Sequence, residues 1–157
     1  KQSFISKEIF MKTSGILLLL LACTFSAFAH VPPSGGQTLP AGTLVLLETT
    51  EKVASERVTV GKTLLFRVRM NVVVNGRTVI ATGALAVGRV KAIRRATYNF
   101  PEEVTLEVLY AQAVDGQQVA LHGAEQTYRG DFPNESMFVE PGQMVTATVM
   151  NNTVINE

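Results

Sequence analysis

The two histidines of the chain are the residues best suited to metal chemistry. His30 directly follows Ala29, where an export signal is predicted to end, and a His at a new amino terminus can chelate copper through its amine and its ring nitrogen. His122 would have to supply the second ring nitrogen. The alternative is that His30 opens a disordered lead and that His122 is a surface residue of a strand, opposite Leu109 and near Glu107.

Other catalytic patterns are incomplete. Gly61-Lys62-Thr63 matches the end of a phosphate-binding loop, but Glu56 stands where that loop needs its first glycine. Nothing near His122 in the sequence marks a partner for a nucleophile–base pair. The sequence therefore predicts a protein that is not an enzyme and that has no cofactor. The enzyme alternative is the copper site, whose ligands resemble those of copper-dependent polysaccharide oxygenases.

Aromatic and basic side chains lie in or beside two long predicted connections, residues 96–101 and 122–135. Rings of this kind could bind a glycan or a peptide, and the alternative is that they close the open end of a barrel. The candidate ligand-binding residues are Tyr98, Phe100, Tyr128, Phe132, Arg94 and Arg95.

Further basic residues would form a stripe if their strands were neighbours. The alternative is an ordinary solvated strand face, since charged residues also protect sheet edges. This basic strand face consists of Arg67, Arg69, Arg89 and Lys91, and Arg94 and Arg95 would extend it.

Charge is divided between two halves of the chain. Residues 30–100 hold ten basic residues against three acidic ones, whereas residues 101–157 hold one against nine. Because these charges nearly cancel, the sequence predicts no nucleic-acid partner. The two halves either attract one another between copies, which predicts self-association or a protein partner, or interleave within one fold, which predicts a monomer.

The start of the chain has the parts of a secretory signal. Residues 11–29 combine a basic start, an apolar run and small residues before the expected cleavage after Ala29. The apolar run is shorter than the about 20 residues that a membrane-spanning helix needs, so no transmembrane helix is expected to be retained. Residues 1–10 are predicted to be an upstream or non-native flank. The signal therefore predicts that the protein is exported to the periplasm or the cell surface.

Cys23 is the single cysteine and offers an alternative to simple cleavage. The preceding Leu20-Leu21-Ala22 resembles the lipobox of bacterial lipoproteins, which would attach the protein to a membrane through lipid on Cys23. Against lipidation, apolar residues follow Cys23, whereas the sequence of a lipoprotein usually turns polar directly after its lipidated cysteine. If cleavage falls after Ala29, the mature chain contains no cysteine and forms no disulfide.

Strands must position these candidates. Apolar and polar residues alternate from 63 to 74, which predicts one half-buried strand, and Asn75-Gly76 favours a two-residue hairpin turn with Val72 opposite Val79. Asp115-Gly116 is predicted to make a second such turn, with Tyr110 opposite Leu121. The apolar residues expected on the buried face of the first strand are Phe66, Val68, Met70, Val72 and Val74.

Further strands are expected at residues 44–49, 84–94, 104–110 and 144–155. Short strands separated by regular turns favour an all-β fold, a single small β-barrel or barrel-like sandwich of about 7–8 mostly antiparallel strands. The predicted domain covers residues 40–157, after a flexible lead at residues 30–39.

Part of this pattern resembles a known family. Residues 72–90 and 40–45, with Ser55-Glu56, resemble the strands, turn and extended loop of TrbI-type barrels of conjugation and type IV secretion systems. Uncharacterised exported β-domains of bacteria show similar patterns. The resemblance implies a β-barrel in the bacterial envelope. Ala81-Thr82 replaces the usual Pro-Lys of that turn, and the family's inner-membrane helix and Pro-rich spacer are not found, so it does not imply a secretion channel.

Together these features predict an exported envelope protein that acts as a non-enzymatic binding or assembly module. An envelope glycan- or peptide-binding module that uses the aromatic loops is the alternative, and the copper enzyme is the remote one.

Overall fold

A computed structural model describes residues 35–123, 125–132 and 136–156. Among these residues, the regular elements are short strands and one 3₁₀ helix, Ser55–Arg57. The strands are β1 (Gln37–Leu39), β2 (Leu44–Thr49), β3 (Val53–Ala54), β4 (Thr63–Val68), β5 (Val72–Val74), β6 (Arg77–Ile80), β7 (Leu85–Arg94), β8 (Glu103–Gln112), β9 (Gln118–Gly123), β10 (Gln126–Arg129), β11 (Phe138–Val139), β12 (Met144–Val149) and β13 (Thr153–Ile155).

Six antiparallel strands form a closed barrel. Their order is β8, β7, β4, β2, β12 and β9, and β9 returns to pair with β8. An additional strand, β10, pairs with the first half of β8, beyond the part that β9 occupies. The predicted fold class, a small all-β barrel of mostly antiparallel strands, is confirmed.

The barrel interior is filled by apolar side chains that alternate along each strand. In β4, Leu64, Phe66 and Val68 are buried while the residues between them are exposed, and β8 buries Val104 and Leu106 in the same way. This is the period-two pattern of a strand with one face on a core. The interior is therefore a packed core.

The long hairpin of β7 and β8 contains two irregularities. Its register shifts between Val87 and Gly88, where Leu109 is the extra residue on β8, and again between Val90 and Ala92, where Lys91 is the extra residue on β7. A bulge of this kind bends a strand and increases its twist. The two bulges let this hairpin follow the barrel wall and continue beyond Thr63, where β4 begins.

Two small ribbons lie at the end of the barrel where β2 begins. β1 pairs with β13, β5 pairs with β6, and β1 packs against both strands of the second ribbon. β1 lies within the segment that was predicted to be a flexible lead, so ordered structure begins before residue 40.

The predicted single strand over residues 63–74 is wrong. The chain leaves β4 at residues 69–71, where Arg69 N–H donates to Leu46 O at 2.8 Å and the Asn71 side chain accepts from Thr82 N at 2.7 Å. Met70, expected in the core, is 62% exposed. The break redirects the chain from the wall into the ribbon of β5 and β6.

The two hairpin registers differ from those expected. At Asn75 and Gly76 both residues have positive φ and the predicted tight turn is present, but a bulge then pairs Val72 with Ile80 instead of Val79. At the second hairpin Ala113 N–H donates to Gln117 O at 2.9 Å, so the loop has three residues, 114–116, rather than the predicted two.

The longer loop moves the register of β8 and β9 by one residue. Tyr110 faces Ala120 and not the predicted Leu121. Two boundaries differ as well. β10 lies inside the predicted connection 122–135, and residues 150–152 separate β12 from β13 in the predicted strand 144–155.

The predicted signal and flank fall outside the described residues, as do Cys23 and His30. In the part of the chain that the structure describes, no helix is long and apolar enough to cross a membrane.

Candidate functional site

Three segments meet at the end of the barrel where β7 ends and β8 begins. They are the connection between β7 and β8, the segment from β2 to β4 that includes β3 and the 3₁₀ helix, and the segment from β10 to β12 that includes β11. β3 pairs with β11, which joins the second and third segments. We call this part of the molecule the aromatic end, for the exposed rings of Tyr98, Phe100, Phe132 and Phe138.

A buried carboxylate connects all three segments. Glu102, only 5% exposed, accepts a hydrogen bond from Ser55 Oγ at 2.5 Å, one from Arg95 Nη1 at 2.8 Å and one from Met137 N at 3.3 Å. Its backbone carbonyl accepts from Gly130 N at 2.9 Å. We call Ser55, Arg95, Glu102 and Met137 the Glu102 cluster.

Backbone contacts reinforce the cluster. Ser55 N–H donates to Met137 O at 3.0 Å, and the Ser55 carbonyl accepts from Arg95 Nη1 at 2.8 Å. Ser55 is completely buried. Each segment of the aromatic end is therefore tied to the others by short polar contacts. Those of Ser55 and Met137 with Glu102 are buried, where such contacts are strong, and those of Arg95 are partly buried.

The Glu102 cluster stabilises the structure and does not present a reactive group. Burial raises the pKa of Glu102, but the hydrogen bonds from Ser55, Arg95 and Met137 outweigh burial and hold its pKa below the ordinary value. The carboxylate is thus charged at neutral pH and accepts three hydrogen bonds. Since the Ser55 hydroxyl is buried and donates to this carboxylate, it is not presented to a substrate as a nucleophile.

The exposed rings stand on the segments that the cluster joins. Tyr98 is 88% exposed and Phe132 is 63% exposed. Arg94 lies over the ring of Phe100, with its Cζ 5.3 Å from the centroid, and Lys52 Nζ lies 4.2 Å from the centroid of Phe138. Cations above these two rings restrict their orientation.

The other predicted ligand-binding residues have structural contacts. Tyr128 on β10 is half-buried against the core, and its hydroxyl is buried without a hydrogen-bond partner among the described residues. Arg95 binds Glu102, and Arg94 also pairs with Glu103 at 2.6 Å. The structure thus places all six predicted residues at one end of the barrel, with Tyr98, Phe100 and Phe132 presenting their rings to solvent.

The predicted basic strand face is an alternating ladder of charges. Arg89 pairs with Glu107 at 2.8 Å, Lys91 lies between Glu107 and Glu125, and Arg69 pairs with Glu48 at 3.1 Å. The hydrogen bond from Arg89 lowers the pKa of Glu107, and the hydrogen bond to Glu125 raises the pKa of Lys91. Arg67 lies on β4 across from Glu48 and Leu85.

These pairs show how the two oppositely charged halves are arranged. Basic residues of the first half meet acidic residues of the second half on neighbouring strands of the same barrel. At the aromatic end, Lys52 likewise pairs with Glu140 at 2.7 Å. The halves interleave within one chain, which was one of the two arrangements open to the sequence.

His122 is an exposed residue of β9, opposite Thr148 on β12. Within the described part of the chain, no group of three or more His, Cys, Asp or Glu side chains is arranged to hold a metal ion. His30, the other proposed copper ligand, lies outside that part.

Ser55, Glu102, Lys52 and Phe138 were not predicted as site residues from the sequence. One signal pointed to Glu102. The residues at 104, 106 and 108 alternate inward, and counting back by two places residue 102 on the same buried face. Phe138 sits in a two-residue strand, too short for any period to be visible.

Neither a protein-family model nor a curated protein matches this chain. The functional proposal therefore rests on the residues and geometry of the aromatic end.

Proposed function

We propose that the chain is an exported protein of the bacterial cell envelope, in the periplasm or at the cell surface, and that it is a non-enzymatic binding module. Its binding surface is the aromatic end, and its ligand is an envelope glycan or a peptide. The leader-like residues 11–29 support export. The exposed rings support binding.

The observation that carries the proposal is the display of four large exposed rings, Tyr98, Phe100, Phe132 and Phe138, on segments joined by buried contacts. A large aromatic side chain left in water at a loop loses the stabilisation that burial would give it. Clusters of such residues on a monomer commonly mark interaction sites.

The Glu102 cluster contributes pre-organisation. A binding loop that is already ordered loses less conformational entropy when the ligand arrives, which increases affinity without a new contact. Because Glu102 contacts Ser55, Arg95 and Met137, its bonds hold the two ring-bearing segments and the segment from β2 to β4 together. We expect the cluster to contribute to ligand affinity although its carboxylate is not exposed to the ligand.

The chemistry of the surface fits an amphipathic ligand. Rings offer flat apolar faces, which pack against the apolar faces of sugar rings or against peptide side chains. Arg94 and Lys52 lie over two of these rings, and each also pairs with a glutamate, as does Arg129 on β10. The surface is therefore polar without a large net charge. A glycan or a short peptide has this mixture of apolar and hydrogen-bonding groups.

The test is retention of the purified protein on peptidoglycan. Three probes are used: intact sacculi, immobilised glycan strands stripped of peptide, and immobilised stem peptides. The double variant Tyr98→Ala/Phe132→Ala is expected to lose retention by at least about tenfold, since aromatic anchors dominate binding energies of this kind. Leu44→Ala, which truncates an exposed apolar residue at the other end of the barrel, is the matched control.

Retention of the control but not of the double variant would support the aromatic end as the binding surface. The arm that retains the parent protein, glycan or peptide, identifies the ligand class. Failure of all three probes to retain the parent protein, or equal retention of parent and double variant, overturns the proposal.

A further inference from the structure

Strand β10 has one hydrogen-bonded neighbour. Within the part of the chain that the structure describes, β10 pairs with β8 alone, and it forms the end of the seven-stranded sheet. β9, which precedes it along the same edge of β8, pairs instead with both β8 and β12. An unpaired strand edge carries backbone donors and acceptors that can pair with another chain.

One hydrogen bond shows which backbone N–H and C=O groups of β10 point toward β8 and which point away from it. Gly130 N–H donates to Glu102 O at 2.9 Å, which continues the antiparallel ladder between β10 and β8 by one residue. Because backbone groups alternate along a strand, the even-numbered residues of β10 bond to β8. The N–H and C=O groups of Thr127 and Arg129, and of Glu125 just before the strand, point away from β8.

We propose that β10 pairs antiparallel with β10 of a second copy of this chain, about a two-fold axis at Thr127. Two copies related in this way place Thr127 opposite Thr127, and Glu125 opposite Arg129, at both ends of the contact. All three residues belong to the set whose backbone groups point outward, so each pair exchanges both of its N–H···O=C bonds.

The side chains of this edge are self-complementary. Glu125, Thr127 and Arg129 are all exposed. In the two-fold pairing each copy's Arg129 meets the other copy's Glu125, and opposite charges across a strand pair are favourable. Isologous contacts require this kind of match between a surface and itself.

The two charged residues of the proposed contact already form ion pairs within one chain. Lys91 binds Glu125, and Arg129 Nε binds Glu103 Oε1 at 2.6 Å. The side chain of Arg129 is nevertheless 67% exposed and that of Glu125 is 55% exposed, so both remain accessible. Pairing two copies would extend one chain's ladder of alternating charges into the other's.

This contact is independent of ligand binding at the aromatic end. It also differs from attraction between the two charged halves, because those charges are already paired within one barrel. Backbone pairing on β10 can therefore be tested separately from ligand binding and from the charges of the two halves. Loss of outward backbone groups on this strand should dissociate the dimer.

Sedimentation equilibrium of the purified protein over a range of concentrations tests the dimer. Thr127→Pro removes an outward N–H while leaving the bonds to β8 in place, which is where a strand tolerates proline. Thr127→Lys places two like charges opposite one another. Each variant is expected to raise the dimer Kd by at least about tenfold, with an unchanged circular dichroism spectrum. Thr38→Lys, on the exposed face of β1, is the control and should leave Kd unchanged.

A second set of variants exchanges the charges at positions 125 and 129 and leaves the backbone groups unchanged. Glu125→Arg places two arginines opposite each other at both ends of the contact and should weaken the dimer. The double variant Glu125→Arg/Arg129→Glu restores opposite charges and should recover most of the lost affinity. In the parent dimer, hydrogen exchange should slow at the amides of Thr127 and Arg129.

Three results would overturn the proposal. The first is a parent protein that sediments as a monomer at every concentration. The second is a dimer whose Kd is the same in Thr127→Pro and Thr127→Lys as in the parent. The third is a dimer in which the amides of Thr127 and Arg129 exchange as fast as in the monomer.

Discussion

The ring of Phe66 and the backbone of Gly88 occupy adjacent space inside the barrel. A Cβ atom at position 88 would lie 2.8 Å from Phe66 Cε2 and 2.3 Å from Glu107 O. Gly88 faces the interior next to the extra residue Leu109 on β8, where the two strands approach closely. The absence of a side chain at 88 thus allows both the bulge and the packing of Phe66.

Gly88→Ala is expected to destabilise the fold by about 1–3 kcal/mol, because the added carbon meets backbone that cannot move easily. Urea unfolding followed by circular dichroism measures the change. Gly35→Ala is the control, since a Cβ at that residue meets nothing within 4 Å, and its midpoint should not move. Equal midpoints for Gly88→Ala and the parent would contradict the packing argument.

The sequence predicted the strands whose pattern is unbroken. Phe66 and Val68 alternate with exposed residues and lie in the core as expected, and the predicted strand at residues 44–49 has the observed bounds. The bulges at Leu109 and Lys91 were not predicted, since one extra residue changes the period only locally. The register of Tyr110 was wrong for a related reason, because Asp115-Gly116 is compatible with both two-residue and three-residue loops.

The aromatic end was predicted in part. Tyr98 and Phe132 were identified from composition, which is sufficient because they are exposed loop residues. The Glu102 cluster was not identified, since Ser55, Arg95 and Met137 are distant from one another along the chain. The alternation along β8 places residue 102 on the buried face, but the groups that bind its carboxylate are brought together only by the closed barrel.

Glu102→Gln is expected to lower the free energy of unfolding by about 1–3 kcal/mol. The substitution keeps the shape of the side chain but removes the charge that Arg95 binds and turns an amide group toward other donors. Thermal or urea unfolding measures the loss. Glu140→Gln is the matched control, because Glu140 pairs with Lys52 on the surface, where such a pair contributes about 0–1 kcal/mol. Equally small losses in the two variants would contradict the structural role of the cluster.

Acid should weaken the fold through the same carboxylate. Because the pKa of Glu102 is lower in the folded chain than in the unfolded one, its contribution is complete above the ordinary carboxyl value. That contribution is lost as the pH falls from about 4 through the lowered folded value. Glu107 and Asp115 also have lowered pKa values and act in the same direction.

The measurement is the free energy of unfolding of parent and Glu102→Gln between neutral and acidic pH. The parent should lose stability more steeply than the variant in the acidic range, so that the two curves converge. Curves that stay parallel down to the lowest pH would show that Glu102 has the same proton affinity in the folded and unfolded chains.

Tyr128→Phe is expected to raise the free energy of unfolding by about 1 kcal/mol. The buried hydroxyl has no hydrogen-bond partner among the described residues, and burial of such a group costs free energy. Burial also raises the pKa of Tyr128, in agreement with a hydroxyl removed from water. Tyr110→Phe, on the half-buried outer wall of β8, is the control and should change little. A lower stability of Tyr128→Phe would mean that the hydroxyl is hydrogen bonded in solution. In that case Tyr128 would belong with the Glu102 cluster among the polar contacts that hold the aromatic end.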